Sequence, residues 1–277
     1  MDEISPGMRT SFAALLVSLF IPLLSSTGAC QSEPAVLTQA SEIAKPGILV
    51  ELFTSEGCSS CPPADALLRQ LDAQSALKDV QIVVLGEHVD YWDGDGWHDR
   101  FSSHEYTVRQ QDYAWHFHIA GPYTPQIVVD GRREFVGNDA SALRSALVQA
   151  ALEKKALIRL TVGYMKTQEL QLQIETNLLP AGSKAADLYV GIADNADETQ
   201  VRGGENSGTS LKHVAVLRRL QRVGKLDPRG SQKEVTIQIP NSLKKEDLRV
   251  VAFVQESGNG NVLGSTVKIL SQSPATQ

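Results

Sequence analysis

Ile48-Leu49-Val50-Glu51-Leu52-Phe53-Thr54-Ser55-Glu56-Gly57-Cys58-Ser59-Ser60-Cys61-Pro62-Pro63-Ala64-Asp65 joins an apolar run to a C-x-x-C and then to a pair of prolines. The run Ile48 to Phe53 closes on polar and glycine residues, the pattern of a buried strand entering a turn. From Pro62 to Leu77, Leu67, Leu68, Leu71 and Leu77 fall at helical spacing. The two cysteines therefore sit where a strand ends and a helix begins.

Downstream, the same alternation continues. Val80 to Leu85 is a second β-branched run, followed by His88-Val89-Asp90-Tyr91-Trp92-Asp93 and a polar, aromatic stretch. Ser102 with Glu105 forms a capping-box pattern for a helix running towards Trp115. Thr124-Pro125 precedes a strand at Gln126 to Val129, Asp130-Gly131 is a hairpin turn, and Glu134 to Val136 returns. Asp139 caps a last helix with Leu143, Leu147 and Leu152 on its apolar side. Strand, C-x-x-C, helix, strand, inserted helix, proline, hairpin, helix is the order of a thioredoxin fold with an insertion. In that fold Pro125 is expected to be cis.

From Leu157 the period changes to two. Leu157 to Val162, Leu170 to Ile174, Leu188 to Ile192, Val235 to Ile239, Val250 to Val254 and Val262 to Ile269 read as strands, and 177–187 and 194–210 as loops. The expected class is therefore α/β: a thioredoxin-like domain with a helical insertion over 47–155, followed by an antiparallel β-sandwich-like domain over 156–277.

The N-terminus reads as an address. Phe12 to Leu24 is apolar except for Ser18, too short to span a bilayer comfortably, which takes about 20 residues, and suited to a secretory h-region. Residues 1–29 are expected to be a signal peptide, with Met8 as an alternative start, and 30–46 a tether. Thr27-Gly28-Ala29 fits an ordinary cleavage site; Ser26-Thr27-Gly28-Ala29-Cys30 equally resembles a lipoprotein box that would make Cys30 a lipid anchor. Both place the mature chain outside the cytoplasm, in the periplasm or on the outer membrane.

Composition narrows the chemistry. Three cysteines in 277 residues exclude a disulfide-stapled scaffold, and 42% hydrophobic residues exclude a disordered chain. Twenty-six basic against 32 acidic residues leave a net charge of −6, which argues against a nucleic-acid partner. Once Cys30 is assigned to export, Cys58 and Cys61 are the one pair left. The thiolate is the nucleophile and the soft-metal ligand, and a helix N-terminus favours it. Cys58, at the turn, is the candidate nucleophile; Cys61 is placed to resolve a mixed disulfide. Pro62 and Pro63 suit the first helical turn but remove amides that would otherwise stabilise a thiolate. Zinc would need a second ligand pair, and His116 and His118 are spaced poorly for one. A static structural disulfide remains open.

The segment from Glu51 to Asp65 resembles the signature of a secreted bacterial family, the domain of unknown function 1223 family. His88 to Asp93, Gly96-Trp97, Tyr123-Thr124-Pro125-Gln126, Val129-Asp130-Gly131, and Gly204-Glu205-Asn206 with His213 resemble its further motifs. The resemblance implies a thioredoxin-like domain followed by a β domain. It implies little about activity, since the family has no established function. It also suggests that the loop Glu205 to Gly208, with His213, touches the first domain near the C-x-x-C. More distantly the chain is similar to thioredoxins in fold, and their roles carry over only to Cys58, Cys61 and Pro125. Ser59-Ser60 replaces the usual dipeptide and no Trp precedes Cys58, which leaves the direction of electron flow open.

Around the pair, Thr124, His88, Asp90 and Trp92 are the expected cleft residues. His88 and Asp90 share a face if the strand continues, and His88 is a proton shuttle for Cys61, a third metal ligand, or a hydrogen-bonded structural histidine. Trp92, Trp97 and Tyr91 form either a lip for a polypeptide or packing of the insertion. Asp93, Asp95 and Asp99 hint at calcium without the full loop spacing. Lys212, Arg218, Arg219, Arg222, Lys225 and Arg229 form a basic stretch, read as a solvated face or as a contact for anionic polymer or lipid.

The expected function is thiol–disulfide exchange with protein thiols or disulfides of the cell envelope, with no cofactor implied. The alternatives are a soft-metal carrier, for copper, through Cys58, Cys61 and His88, or a scaffold with a structural disulfide.

Overall fold

Strand β1 (Gly47–Thr54) is buried along its whole length, which is why its apolar run is uninterrupted. Alternate side chains serve two cores. Ile48, Val50 and Leu52 pack with Leu68 and Leu71 of helix α1 (Pro62–Ala73) and with Leu143 and Leu147 of α3 (Ala140–Leu152). On the opposite face Leu49 packs with Val83 and Leu85 of β2 (Gln81–His88) and with Tyr106 of α2 (His104–Phe117). This computed structural model describes residues 44–74, 79–94, 96–165, 168–243 and 247–270, which belong to one compact unit.

β2 lies parallel to β1, and β3 (Gln126–Val129) lies antiparallel on its other side, followed by β4 (Arg133–Val136). Asp130 and Gly131 both have positive φ, at 50° and 59°, as the Asp-Gly hairpin turn requires. Asp139 caps α3 by accepting from the backbone N–H groups of Ser141 and Ala142. The cap of α2 is Ser103 rather than Ser102: the Ser103 side chain accepts from the Glu105 N–H, while Ser102 Oγ donates to Asp93.

The remaining strands are β5 (Ile158–Met165), β6 (Glu169–Thr176), β7 (Ala186–Gln200), β8 (Ser210–Lys225), β9 (Ser231–Gln238), β10 (Leu248–Glu256) and β11 (Val262–Leu270). β5-β6-β9 forms a small antiparallel sheet. Its inner residues, among them Leu170, Leu172, Val235 and Ile237, pack against Leu188, Val190, Val250 and Ala252 of β7 and β10.

The expected fold class is overturned by the sheet order. The other strands make one mixed sheet, β11-β10-β7-β8-β2-β1-β3-β4, which runs without a break from the C-terminal half into the N-terminal half. The described residues are 44% strand and 19% helix, with three helices among them. It is therefore not a thioredoxin-like α/β domain with a helical insertion followed by a separate β-sandwich-like domain. The physical reason lies in β8, whose residues are expected from the sequence to be a basic stretch on a solvated face. It pairs in parallel with β2 at Gly86–Val216 and antiparallel with β7, so β2 has no free edge. Hydrophobic period identifies strands, and it carries no information about which distant strand pairs with which.

The signal peptide, tether and lipid-anchor readings fall on residues 1–46, of which 1–43 lie outside the described residues.

Candidate functional site

Cys58 and Cys61 are joined in a disulfide with a Cα–Cα separation of 5.4 Å, and both are fully buried. The bond closes the turn that starts α1. The Cys58 N–H donates to Ser55 O, the Cys61 N–H to Cys58 O, and the Ala64 and Asp65 N–H groups to Cys61 O. Cys61 is the N-cap, without a side-chain cap, and Pro62 and Pro63 fill the first turn, where missing N–H groups leave nothing unpaired. Ser59 and Ser60 between the cysteines are exposed.

The Thr124–Pro125 peptide is cis. Pro125 is buried and closes on the first turn of α1: a Cβ at Gly137 would lie 2.9 Å from Pro125 Cβ and 3.1 Å from Ala64 Cβ, so only glycine leaves the room. Trp92 Nε1 donates to Thr124 Oγ1 at 2.7 Å, fixing the residue before the proline. Cys58, Cys61, Thr124, Pro125 and Trp92 are thus gathered around the start of α1.

His88 and Asp90 part company. His88, buried at the end of β2, bonds through Nδ1 to Asp99 Oδ2 at 2.6 Å, a structural pairing. Asp90 accepts from Thr107 Oγ1 and His104 on the outer side. Tyr91 is 42% exposed with its hydroxyl on Gln110; Trp92 and Trp97 are half-buried. The two sulfurs are bonded to each other and His88 is bonded to Asp99. Among the described residues no group of three His, Cys, Asp or Glu side chains is arranged to hold a metal ion; Asp93 bonds Ser102 and His98, and Asp95 lies outside the described residues. In the basic stretch Arg218, Arg222 and Arg229 pair with Asp194, Asp187 and Asp227.

The residues flanking the C-x-x-C enter a charged cluster that residue patterns alone did not assign. Glu56 and Asp65, on either side of the C-x-x-C, face the buried ring of His213 from β8 at 3.4 and 3.8 Å. Burial opposes charge on this ring, but Asp65 and Glu56 outweigh it and raise its pKa to about 9. Asp99 is buried, which opposes its charge, yet His88 and the Glu56 and Phe101 N–H groups hold its pKa down at about 2. Glu56 Oε2 also accepts from Trp97 Nε1 at 2.8 Å. The loop before β8 closes over the turn: Asn206 Nδ2 donates to Glu56 O and Cys58 O at 2.8 and 3.0 Å, and the Ser59 N–H donates to Glu205 Oε2 at 3.2 Å. The contact expected between this loop, His213 and the C-x-x-C is present.

These features define a class: a mixed-sheet protein with a disulfide at a helix start, whose flanking carboxylates meet a buried histidine from the other half of the chain. The profile of the family described as protein of unknown function, DUF1223, matches residues 49–255, and the chain belongs to that family. It is similar to protein AGR_C_4864 from Agrobacterium tumefaciens, at 26% identity and a TM-score of 0.60, over 83% of this chain and 97% of that one. It is also similar in fold to HBP35 of Porphyromonas gingivalis, at 13% identity and a TM-score of 0.60, over 84% of this chain and 79% of that one. No curated protein matches the chain.

Proposed function

We propose that the protein is an exported thiol–disulfide exchange protein of the cell envelope, acting on protein thiols or disulfides through Cys58 and Cys61. The observation that carries this reading is the disulfide at the first turn of α1, flanked in the chain by Glu56 and Asp65, which both face the buried His213. A helix start stabilises a thiolate, and ionisable groups beside a reactive cysteine set its pKa. In the reduced state Cys58 attacks a substrate disulfide and Cys61 resolves the mixed disulfide. Export follows from the apolar segment Phe12 to Leu24, with Cys30 as the site of lipid attachment or a residue near the cut.

The test is exchange with a model disulfide or dithiol by purified protein. Cys58→Ser is expected to abolish it, and equal activity in that variant overturns the reading. A second reading has its own support: both cysteines are fully buried, as in a structural bond. The reduction potential separates the two. A value above about −230 mV belongs to an exchanger, and one below about −300 mV to a structural bond.

A further inference from the structure

Glu56 precedes Cys58 by two residues and Asp65 follows Cys61 by four, and both turn inward to the same imidazole. That imidazole comes from the far half of the chain, on β8, and is 3% exposed. Neither ring nitrogen of His213 makes an aligned hydrogen bond among the described residues, and Glu56 Oε1 makes none either. What holds the three together is charge at 3.4–3.8 Å. The ring meets His88 edge-on at 4.8 Å and Phe101 at 5.6 Å between centroids. Other groups bear on it from every side. Asp99 holds His88, Thr54 Oγ1 donates to Asp65, Trp97 donates to Glu56, and Arg100 and Arg218 stack on Phe101. Outside the cluster, Glu205 sits on the Ser59 N–H.

We propose that His213 is a positioning residue for the Cys58–Cys61 pair: its ring holds a proton between the two carboxylates that flank the pair in the chain, and that positive charge sets how readily the opened disulfide keeps a thiolate. The inference rests on the thiol–disulfide reading above. Without the imidazolium, Glu56, Asp65 and Asp99 would confront the reduced pair with negative charge alone, and like charges nearby disfavour a thiolate. Two of those carboxylates would also stand buried without a counter-charge, which a protein interior penalises heavily. The ring's raised pKa keeps it charged at neutral pH.

The exchange step balances as follows. A substrate thiolate attacks one sulfur of the pair, the Cys58–Cys61 bond breaks, and its electron pair stays on the other sulfur. A second substrate thiolate attacks the substrate sulfur of the mixed disulfide, forming the substrate disulfide and releasing the remaining cysteine sulfur. Two electrons pass to the cysteines. Of the two protons given up by the substrate thiols, one returns to Cys61 and one stays in water, for as long as Cys58 is held as thiolate.

Because coupling between two sites is reciprocal, a ring that stabilises the thiolate must itself be stabilised in its charged form by the thiolate. The first measurement uses the unaltered protein. The His213 ring is titrated by NMR in the oxidised protein and again after reduction with dithiothreitol. Its pKa is expected to rise on reduction by about half a unit or more. The second measures Cys58 thiolate formation by absorbance and by alkylation rate. His213→Gln is expected to raise the thiolate pKa by about one unit and slow alkylation at neutral pH about tenfold, with partial rescue in His213→Lys. If His213→Gln fails to fold, the titration alone decides. A His213 titration identical in both redox states overturns this inference while leaving the exchange reading standing. A pair that dithiothreitol does not reduce overturns both.

Discussion

A charged residue inside an apolar strand has to be answered by another charged or polar group, and Glu51 shows what that entails. It sits in the middle of β1 with no exposure, and its two oxygens are taken by Arg109 from α2 and the Tyr113 hydroxyl at 2.5–2.7 Å. Arg109 goes on to Gln255 on β10, and Glu87 of β2 lies 3.7 Å away. Burial and the adjacent Glu51 push the Glu87 carboxyl well above the usual range, against the pull of Arg109. Replacing Arg109 by Leu would strand Glu51 without a counter-charge. A loss of about 3–5 kcal/mol is expected in urea unfolding. Replacing Glu51 by Gln along with Arg109 by Leu should restore part of it, because no ion is then left unpaired. An unchanged midpoint in the single variant would mean that the network contributes little. Glu51 in Ile48-Leu49-Val50-Glu51-Leu52-Phe53 was a legible sign of such a network; its partners, 58 and 204 residues away, were not.

Short-range elements were readable because their signals are local. The Asp-Gly turn, the Asp139 cap, the prolines opening α1 and the C-x-x-C at the strand-to-helix turn are each settled within four residues. β8 was missed because its Lys and Arg residues mask a period of two. Leu211, His213 and Ala215 are buried while Lys212 is exposed, an alternation that was present to be read. The omission mattered, since β8 carries His213 and completes the sheet. The loop that leads into β8 supplies the next prediction. At Gly203 a Cβ would collide with Gly96 O, so the loop is seated closely on the segment before α2. Asn206 ties it to the carbonyls of Glu56 and Cys58. Asn206→Ala removes both donors and leaves two buried carbonyls short of a partner, at a loss of about 1–3 kcal/mol. A loosened loop uncovers the buried disulfide, so its reduction by a small dithiol should quicken severalfold while Tm falls. Reduction at the unaltered rate would mean that the loop does not limit access.

At the scale of the described residues, a mixed sheet shared by both halves means one folding unit. Leu49, Val83, Leu85 and Tyr106 share a core with Ala193, Leu217, Val251 and Phe253. Arg249 of β10 forms a bidentate pair with Asp72 of α1, and Tyr106 donates to Leu217 O. A fragment of residues 47–155 would expose half of that core and the whole edge of β2. It is expected to lack cooperative thermal unfolding, whereas residues 44–270 unfold in one transition; a folded 47–155 fragment would contradict the shared core. The ion cluster gives the intact unit a pH profile. In the folded protein the His213 pKa is raised to about 9 from 6.5, so its contribution is complete below 6.5 and is lost as the pH climbs through 9. The shift corresponds to roughly 3 kcal/mol. Asp99 runs the other way: held at about 2 against 3.8, its contribution is present above 3.8 and is lost as the pH falls towards 2. In urea unfolding of the oxidised protein, in which no thiol titrates from Cys58 or Cys61, these two groups together should therefore contribute a plateau between about pH 4 and 6.5, on which Asp130, raised to about 6 by burial, superimposes a decline from about pH 4. His213→Gln should lower the plateau and flatten the alkaline side. An alkaline side unchanged in that variant would assign the decline to other groups and remove His213 as the counter-charge of Glu56 and Asp65.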